Sequence, residues 1–348
     1  MPSLYCRGGV ILATKLGKQT YKPDNPPYII STGTVAGPFE GQGPVGKYFD
    51  HVYTDTLAGE RSFENAEKEM MTNACFTCLN KVNITPQEVD FFLAGDLLNQ
   101  TITSGFSALE LAVPYLGIYG ACSTSALGLA ISTMLVDGDY ARLVLAATSS
   151  HNSSAERQFR FPTEYGAHRK PTTQWTVTGA GAALVAKEGT GPRITYFTIG
   201  KVTDMGIKDA NNLGAAMAPA AAATMVQHFA DTGNGPEYYD LIVTGDLGKF
   251  GHELAIKTCI TRGGFDLTKN YSDCGIMIYD LEKQDVHAGA SGCASSALVT
   301  YGYLYRQMLA GKLKKLLLVA TGALHSQCSV QQGSNIPTIA HAVSIEVE

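Results

Sequence analysis

The sequence predicts an α/β fold built from two βαβ-rich halves, related by a pseudo-twofold axis and enclosing a site between them. Three internal matches predict it. Tyr239-Asp240-Leu-Ile-Val-Thr-Gly245-Asp246-Leu247 repeats Val89-Asp90-Phe-Phe-Leu-Ala-Gly95-Asp96-Leu97. Gly292-Cys293-Ala-Ser-Ser-Ala-Leu298 repeats Ala121-Cys122-Ser-Thr-Ser-Ala-Leu127. Leu316-Leu-Leu-Val-Ala-Thr321 answers Leu143-Val-Leu-Ala-Ala-Thr148, each following a helical run closed by glycine (Gly311 and Gly138). The halves divide as 1–190, carrying Cys122, and 191–348, carrying Cys293.

Composition agrees with a large packed core: 348 residues, 45% hydrophobic, with 37 glycines and 17 tyrosines. The net charge of -5 and the lack of a dense Lys/Arg cluster argue against nucleic-acid binding. The 8 cysteines are irregularly spaced and Met1–Arg7 is no signal peptide, so reduced cytosolic thiols are expected. Leu213–Val226, the most hydrophobic stretch, is interrupted by Pro219 and too short to span a bilayer, which limits any membrane role to a peripheral one.

In chain order, residues 1–62 mix short apolar runs with Gly/Pro turns. Gly41-Gln-Gly-Pro-Val-Gly46-Lys47-Tyr48 approaches a P-loop, but Tyr48 replaces the Mg²⁺-binding hydroxyl and Pro44 removes a backbone donor. Phe63–Val82 has the 3.6-residue spacing of an amphipathic helix and holds Cys75-Phe-Thr-Cys78, read as two core thiols. Asp90–Leu97 is a strand entering a loop, followed by a helix that ends before Pro114. The polar stretch 149–166 follows, and Thr176–Ala186 is strand-like. In the second half Gly275-Ile-Met-Ile-Tyr279 predicts an additional strand.

The Cys122 unit carries the chemistry. A small-residue turn places the thiol just before a helix of good formers, where unpaired N–H groups and the positive end of the dipole favour a thiolate or a bound anion.

Two such halves with a helix-capping cysteine resemble the thiolase superfamily, the thiolases and ketoacyl synthases. That implies a five-layer αβαβα fold, with the Cys122 helix and its Cys293 counterpart buried side by side, and a homodimer. A closer resemblance is to the stage V sporulation protein AD family. It is carried by Leu93–Gln100, Tyr119–Ser125, Ser149–Asn152 with Ala155–Arg160, Pro162–Gly166, Gln174–Ala182, Gly214–Ala220, Tyr239–Gly248 and Ile336–Ser344. This resemblance implies a non-enzymatic binder of dipicolinic acid (pyridine-2,6-dicarboxylate), free or as its calcium chelate, with no cofactor. It also implies a cytoplasmic protein at the inner spore membrane, acting with membrane proteins of one transport complex to load that compound into the developing spore.

Condensation chemistry needs His with His or Asn beside the nucleophile. The superfamily's first slot falls on Gly245 and its second on Gly289-Ala290-Ser291-Gly292, so neither position carries the required residue. The candidate ligand-binding set is therefore Cys122, His151, Arg157, Arg160, Asp246 and His341, with no catalytic and no metal residue. The two arginines are expected to meet carboxylates, with Phe159 and Phe161 supplying an aromatic slot. The alternatives are internal ion pairs for the arginines, a hydrogen-bond bracket for His151, and N-capping of the next helix for Asp96 and Asp246. The competing function is an acyltransferase or condensing enzyme with Cys122 as nucleophile.

Overall fold

The computed structural model describes residues 14–159 and 169–348. The first half contributes strands β1 (Tyr28–Ala36), β2 (Phe91–Gly95), β3 (Tyr115–Gly117), β4 (Leu143–Ser150) and β5 (Gly179–Ala186). The second contributes β6 (Arg193–Thr198), β7 (Leu241–Thr244), β8 (Tyr271–Asp273), β9 (Lys315–Ala323) and β10 (Thr338–Glu346). Their spatial orders are β3-β2-β4-β5-β1 and β8-β7-β9-β10-β6, the same path with each strand replaced by its repeat mate.

Strand directions repeat as well. β2 runs parallel to β3 and β4, and β5 runs antiparallel to β4 and β1. β7 runs parallel to β8 and β9, and β10 runs antiparallel to β9 and β6. The two groups meet at an antiparallel bridge between Tyr28 and Arg193.

Helices complete five layers. The outer pair on the first sheet is α1 (Phe63–Asn80) and α2 (Ile102–Leu111), and α1 packs on β1 and β5. The Cys122 helix α3 (Thr124–Asp137) lies in the middle, touching β4 and β5 on one side and β9 and β10 on the other. A short helix α4 (Asn152–Phe159) follows β4. The outer pair on the second sheet is α5 (Leu213–Thr232) and α6 (Gly248–Gly263). The Cys293 helix α7 (Cys293–Ala297) continues through a π-helical stretch, Leu298–Leu304, and packs beside α3.

The central helices are buried over most of their surface, which explains their lack of a polar stripe: of α3, Ala126, Leu129, Ala130 and Val136 are enclosed, as are Ala294, Ala297 and Leu298. Each fully buried aliphatic side chain contributes about 1.5–3 kcal/mol. The expected strand at Gly275–Tyr279 is not one. The strand is the preceding Tyr271–Asp273, and Cys274–Met277 forms a helical turn. A short apolar run cannot reveal its period, and here Asp273 ends the strand by turning its carboxylate onto Leu247 N and Gly248 N. No helix among the described residues is long and apolar enough to cross a membrane.

Candidate functional site

The turn before α3 is built by its own side chains. The Ser123 hydroxyl donates to Gly120 O at 2.6 Å, and the Thr124 hydroxyl donates to Ala121 O at 2.6 Å. Ala121 is held at φ 48°, a region non-glycine residues seldom occupy, and this aims the next residue, Cys122, into the interface between halves. β9 can pass this close because residue 322 is glycine: a Cβ there would come within 2.2 Å of Gly120 O.

Asp246 comes to the sulfur from the second half. It is fully buried at the end of β7, where it accepts from the Thr321 hydroxyl (2.7 Å), Gly292 N (3.1 Å) and the Ser291 hydroxyl (3.3 Å), and from the Cys122 thiol. Burial pushes its carboxyl up to about 7. The Cys122 thiol is itself pushed well up, first by its hydrogen bond with the Cys293 thiol, then by burial and by the Asp246 charge. Cys293 also donates to Ala121 O at 3.1 Å. The helix-terminal position predicted a stabilised thiolate; an acid and a second thiol facing the sulfur in a buried setting reverse that expectation.

A cavity of about 50 Å³ lies against Cys122, walled by Leu97, Tyr119, Phe159, Thr176, Ser291 and His325. Four of these, Leu97, Tyr119, Phe159 and His325, also wall a surface groove of about 640 Å³. Phe159 packs obliquely on His325 with ring centres 5.2 Å apart. The groove's rim is conformationally strained, with the consecutive residues Gln100 and Thr101 at φ 59° and 50°. A β-branched residue in that region is a true outlier, a form of strain that clusters at ligand sites.

The other predicted residues are placed elsewhere. His151 is buried with both ring nitrogens engaged: Nδ1 accepts from Ser153 N (3.1 Å), which leaves Nε2 to donate to Thr56 O (2.7 Å). It serves as the hydrogen-bond bracket, and burial lowers its pKa, keeping it neutral. Arg157 extends into solvent and pairs with Glu64. That is an internal ion pair, as the alternative reading had it, with a partner the sequence did not suggest. His341 is buried on β10, accepts from Gly200 N at 3.3 Å, and has its pKa pushed down to about 4 by burial. Arg160 lies outside the described residues.

Cys122 and Asp246 are thus brought together, and His151, Arg157 and His341 are not among the cavity's walls. The N-cap role weighed for Asp246 belongs to Asp273 instead. Asp96 does engage the following helix, accepting from Leu98 N, Ser104 N and the Ser104 hydroxyl. Sequence reasoning missed Tyr119 as an aromatic wall, and His325. The repeat carried a signal for the latter, since a histidine follows Thr148 at 151 and Thr321 at 325, but the one-residue slip broke the match.

Comparison with known proteins yields two kinds of likeness. Residues 17–346 match the family described as Stage V sporulation protein AD. The Stage V sporulation protein AD of Bacillus subtilis strain 168 is 46% identical over 330 residues, covering 95% of this chain and 97% of that one. At the level of fold, 3-oxoacyl-[acyl-carrier-protein] synthase III from Aquifex aeolicus superposes with a TM-score of 0.58 at 16% identity, over 92% of this chain and 100% of that one. A variant of OleA from Xanthomonas campestris gives 0.61 at 14% identity, over 96% and 100%. The architecture is therefore thiolase-like.

Proposed function

Since the chain belongs to the stage V sporulation protein AD family, we propose that it is a non-catalytic receptor for dipicolinic acid, taking part in that compound's uptake into the developing spore. The observation that carries the reading is the state of Cys122. Its thiol is held protonated by its contact with Cys293, by burial and by the Asp246 charge, so it is a poor nucleophile at neutral pH. Ala290 and Ser291 stand in the segment where condensing enzymes keep an Asn or His, and Gly245 stands at the other slot.

The ligand is assigned to the larger groove, with its flat ring against Tyr119, Phe159 and His325 and its carboxylates toward the polar rim of Asn99, Gln100 and Ser326. The cavity against Cys122 is too small for the whole molecule and serves as its inner end. Among the described residues no group of His, Cys, Asp and Glu is arranged to hold a metal ion alone. Any calcium ion accordingly arrives on the ligand's own carboxylates.

The chain acts as a homodimer joined at β3. That strand ends the sheet order, and Ile102, Phe106, Leu109, Leu116 and Tyr119 are exposed large hydrophobics beside it. An apolar edge of this kind suits a second copy of the same surface. Membrane proteins of the same transport complex are the other proposed partners, met at the cytoplasmic side of the inner spore membrane.

Titration calorimetry with dipicolinate tests the central reading. Saturable binding that survives Cys122→Ala supports it. Absence of heat overturns it, and a covalent acyl adduct on Cys122 after incubation with acyl-CoA overturns it in favour of an acyl-transfer enzyme.

A further inference from the structure

Glu67 is a carboxylate with no place in the scheme above, yet it stands directly behind the wall of the groove. It lies on α1, 1% exposed, and both oxygens are used. The Ser149 hydroxyl at the end of β4 donates to Oε1 at 2.9 Å, and the Ser154 hydroxyl in the first turn of α4 donates to Oε2 at 2.9 Å. α4 then supplies Ala155 and Phe159 to the cavity against Cys122, and its Gln158 bridges to Leu97 O (2.8 Å) and Asn99 N (2.9 Å) on the opposite wall. One buried side chain therefore ties the outer helix to the root of the segment that forms the ligand wall.

A second carboxylate stands beside it. Asp96 acts only as an acceptor, taking Leu98 N (2.9 Å), Ser104 N (2.8 Å) and the Ser104 hydroxyl (2.6 Å). The burial of Glu67 itself, and after it the Asp96 charge, oppose a charge on Glu67. Two neighbouring buried carboxylates cannot both stay ionised cheaply, and Asp96 has two backbone donors to hold its charge whereas Glu67 has only hydroxyls.

We propose that Glu67 is a proton-sensing positioning residue for the ligand wall. Ionised, it accepts both serine hydroxyls in charge-assisted bonds that fix α4 against the groove; protonated, it holds them only through weaker neutral bonds and slackens α4. The Ser154 oxygen also lies 3.1 Å from His151 O, so that hydroxyl can turn to donate there while accepting from a protonated Glu67.

Burial and Asp96 raise Glu67 to about 8, which places the change near neutral pH. Asp96, the nearest carboxyl, is also raised by burial, and its bonds from Ser104 and Leu98 oppose that rise. His151 is lowered and neutral, and Glu64 on the same helix is lowered and paired with Arg157. Lys68 is raised by Glu110 and Glu69, and Tyr115, facing Asp96, is raised.

The inference deepens the ligand-binding reading and rests on it only for what the groove holds, so two readouts are needed. In ligand-free protein, amide-exchange protection of residues 152–159 should rise between pH 7 and pH 9, with the increase lost in Glu67→Gln and reduced in Ser154→Ala. With dipicolinate, wild-type affinity should strengthen about tenfold over the same range, the change given by a one-unit difference in pKa between free and bound states. Glu67→Gln should bind at the weaker level throughout. Flat protection in the wild type, or an unchanged pH profile in both variants, overturns the proposal. A pH-dependent α4 without any dipicolinate binding would sink the ligand assignment and leave the switch standing.

Discussion

Ser125 and Ser296 occupy equivalent positions in the two halves, and their hydroxyl oxygens meet 2.6 Å apart across the pseudo-twofold axis, fully enclosed. The contact places α3 and α7 in register, three residues beyond Cys122 and Cys293 respectively. The alignment of the two thiols therefore depends on a pair of hydroxyls that satisfy one another.

Removing the Ser296 hydroxyl strands that of Ser125, whereas Ser296 keeps Cys293 O at 3.4 Å when the Ser125 hydroxyl is removed. Ser125→Ala and Ser296→Ala should each cost about 1–3 kcal/mol of unfolding free energy. The double variant should cost less than the sum of the two, because nothing polar is then stranded. Urea denaturation of the four proteins measures the coupling, and strict additivity would show that the contact contributes nothing.

Asp246 gives stability a pH dependence of defined sign. Its carboxyl is raised from 3.8 to about 7, so the folded chain holds that proton more tightly than the unfolded one. The resulting stability is fully present below about pH 4 and is lost as pH rises to about 7. Asp246→Asn lacks this loss. Relative to wild type it should gain up to about 4 kcal/mol between pH 4 and pH 8, on the conversion of 1.36 kcal/mol per pKa unit. Parallel stability curves for the two proteins would contradict the assignment.

Thiol reactivity should separate Cys122 from Cys328. Cys328 is exposed on the groove, whereas Cys122 is buried and its thiolate disfavoured. Iodoacetamide at pH 8 should label Cys328 in the native protein and reach Cys122 only on unfolding, as read by peptide mass spectrometry. Fast labelling of native Cys122 would restore it as a nucleophile.

Ligand affinity should follow the groove and be insensitive to the exposed arginine. Phe159→Ala and His325→Ala each remove an aromatic wall and should weaken dipicolinate binding about fivefold or more, roughly 1 kcal/mol. Arg157→Ala breaks a surface pair with Glu64 and should change affinity less than twofold. A large loss at Arg157 with none at Phe159 would move the site to the other face of α4.

Leu109→Glu with Phe106→Glu should convert the proposed dimer to monomers in light scattering, since both side chains are among the most exposed apolar groups on α2. A wild-type protein already monomeric at micromolar concentration would remove the edge-pairing scheme.

Much of this was legible in the sequence, for identifiable reasons. The Asp90–Leu97 and Tyr239–Leu247 repeat encodes β2 and β7, and the Cys122 and Cys293 repeats encode the two central helices. Local pattern and turn chemistry suffice for such elements. Gly275–Tyr279 was misread because a short apolar run looks the same as strand or buried turn. The partner of Arg157 is not legible locally because Glu64 lies on a helix 93 positions earlier in the chain.

The sequence by itself determined the duplicated topology and the helix behind Cys122, since these are properties of adjacent residues. Only the tertiary structure decided that Asp246 and Cys293 face the Cys122 sulfur, that Phe159 and His325 share a wall, and that Glu67 sits behind it. The field and solvation at a buried atom come from groups brought close by folding, and those groups outweigh the helix terminus that the local sequence supplies.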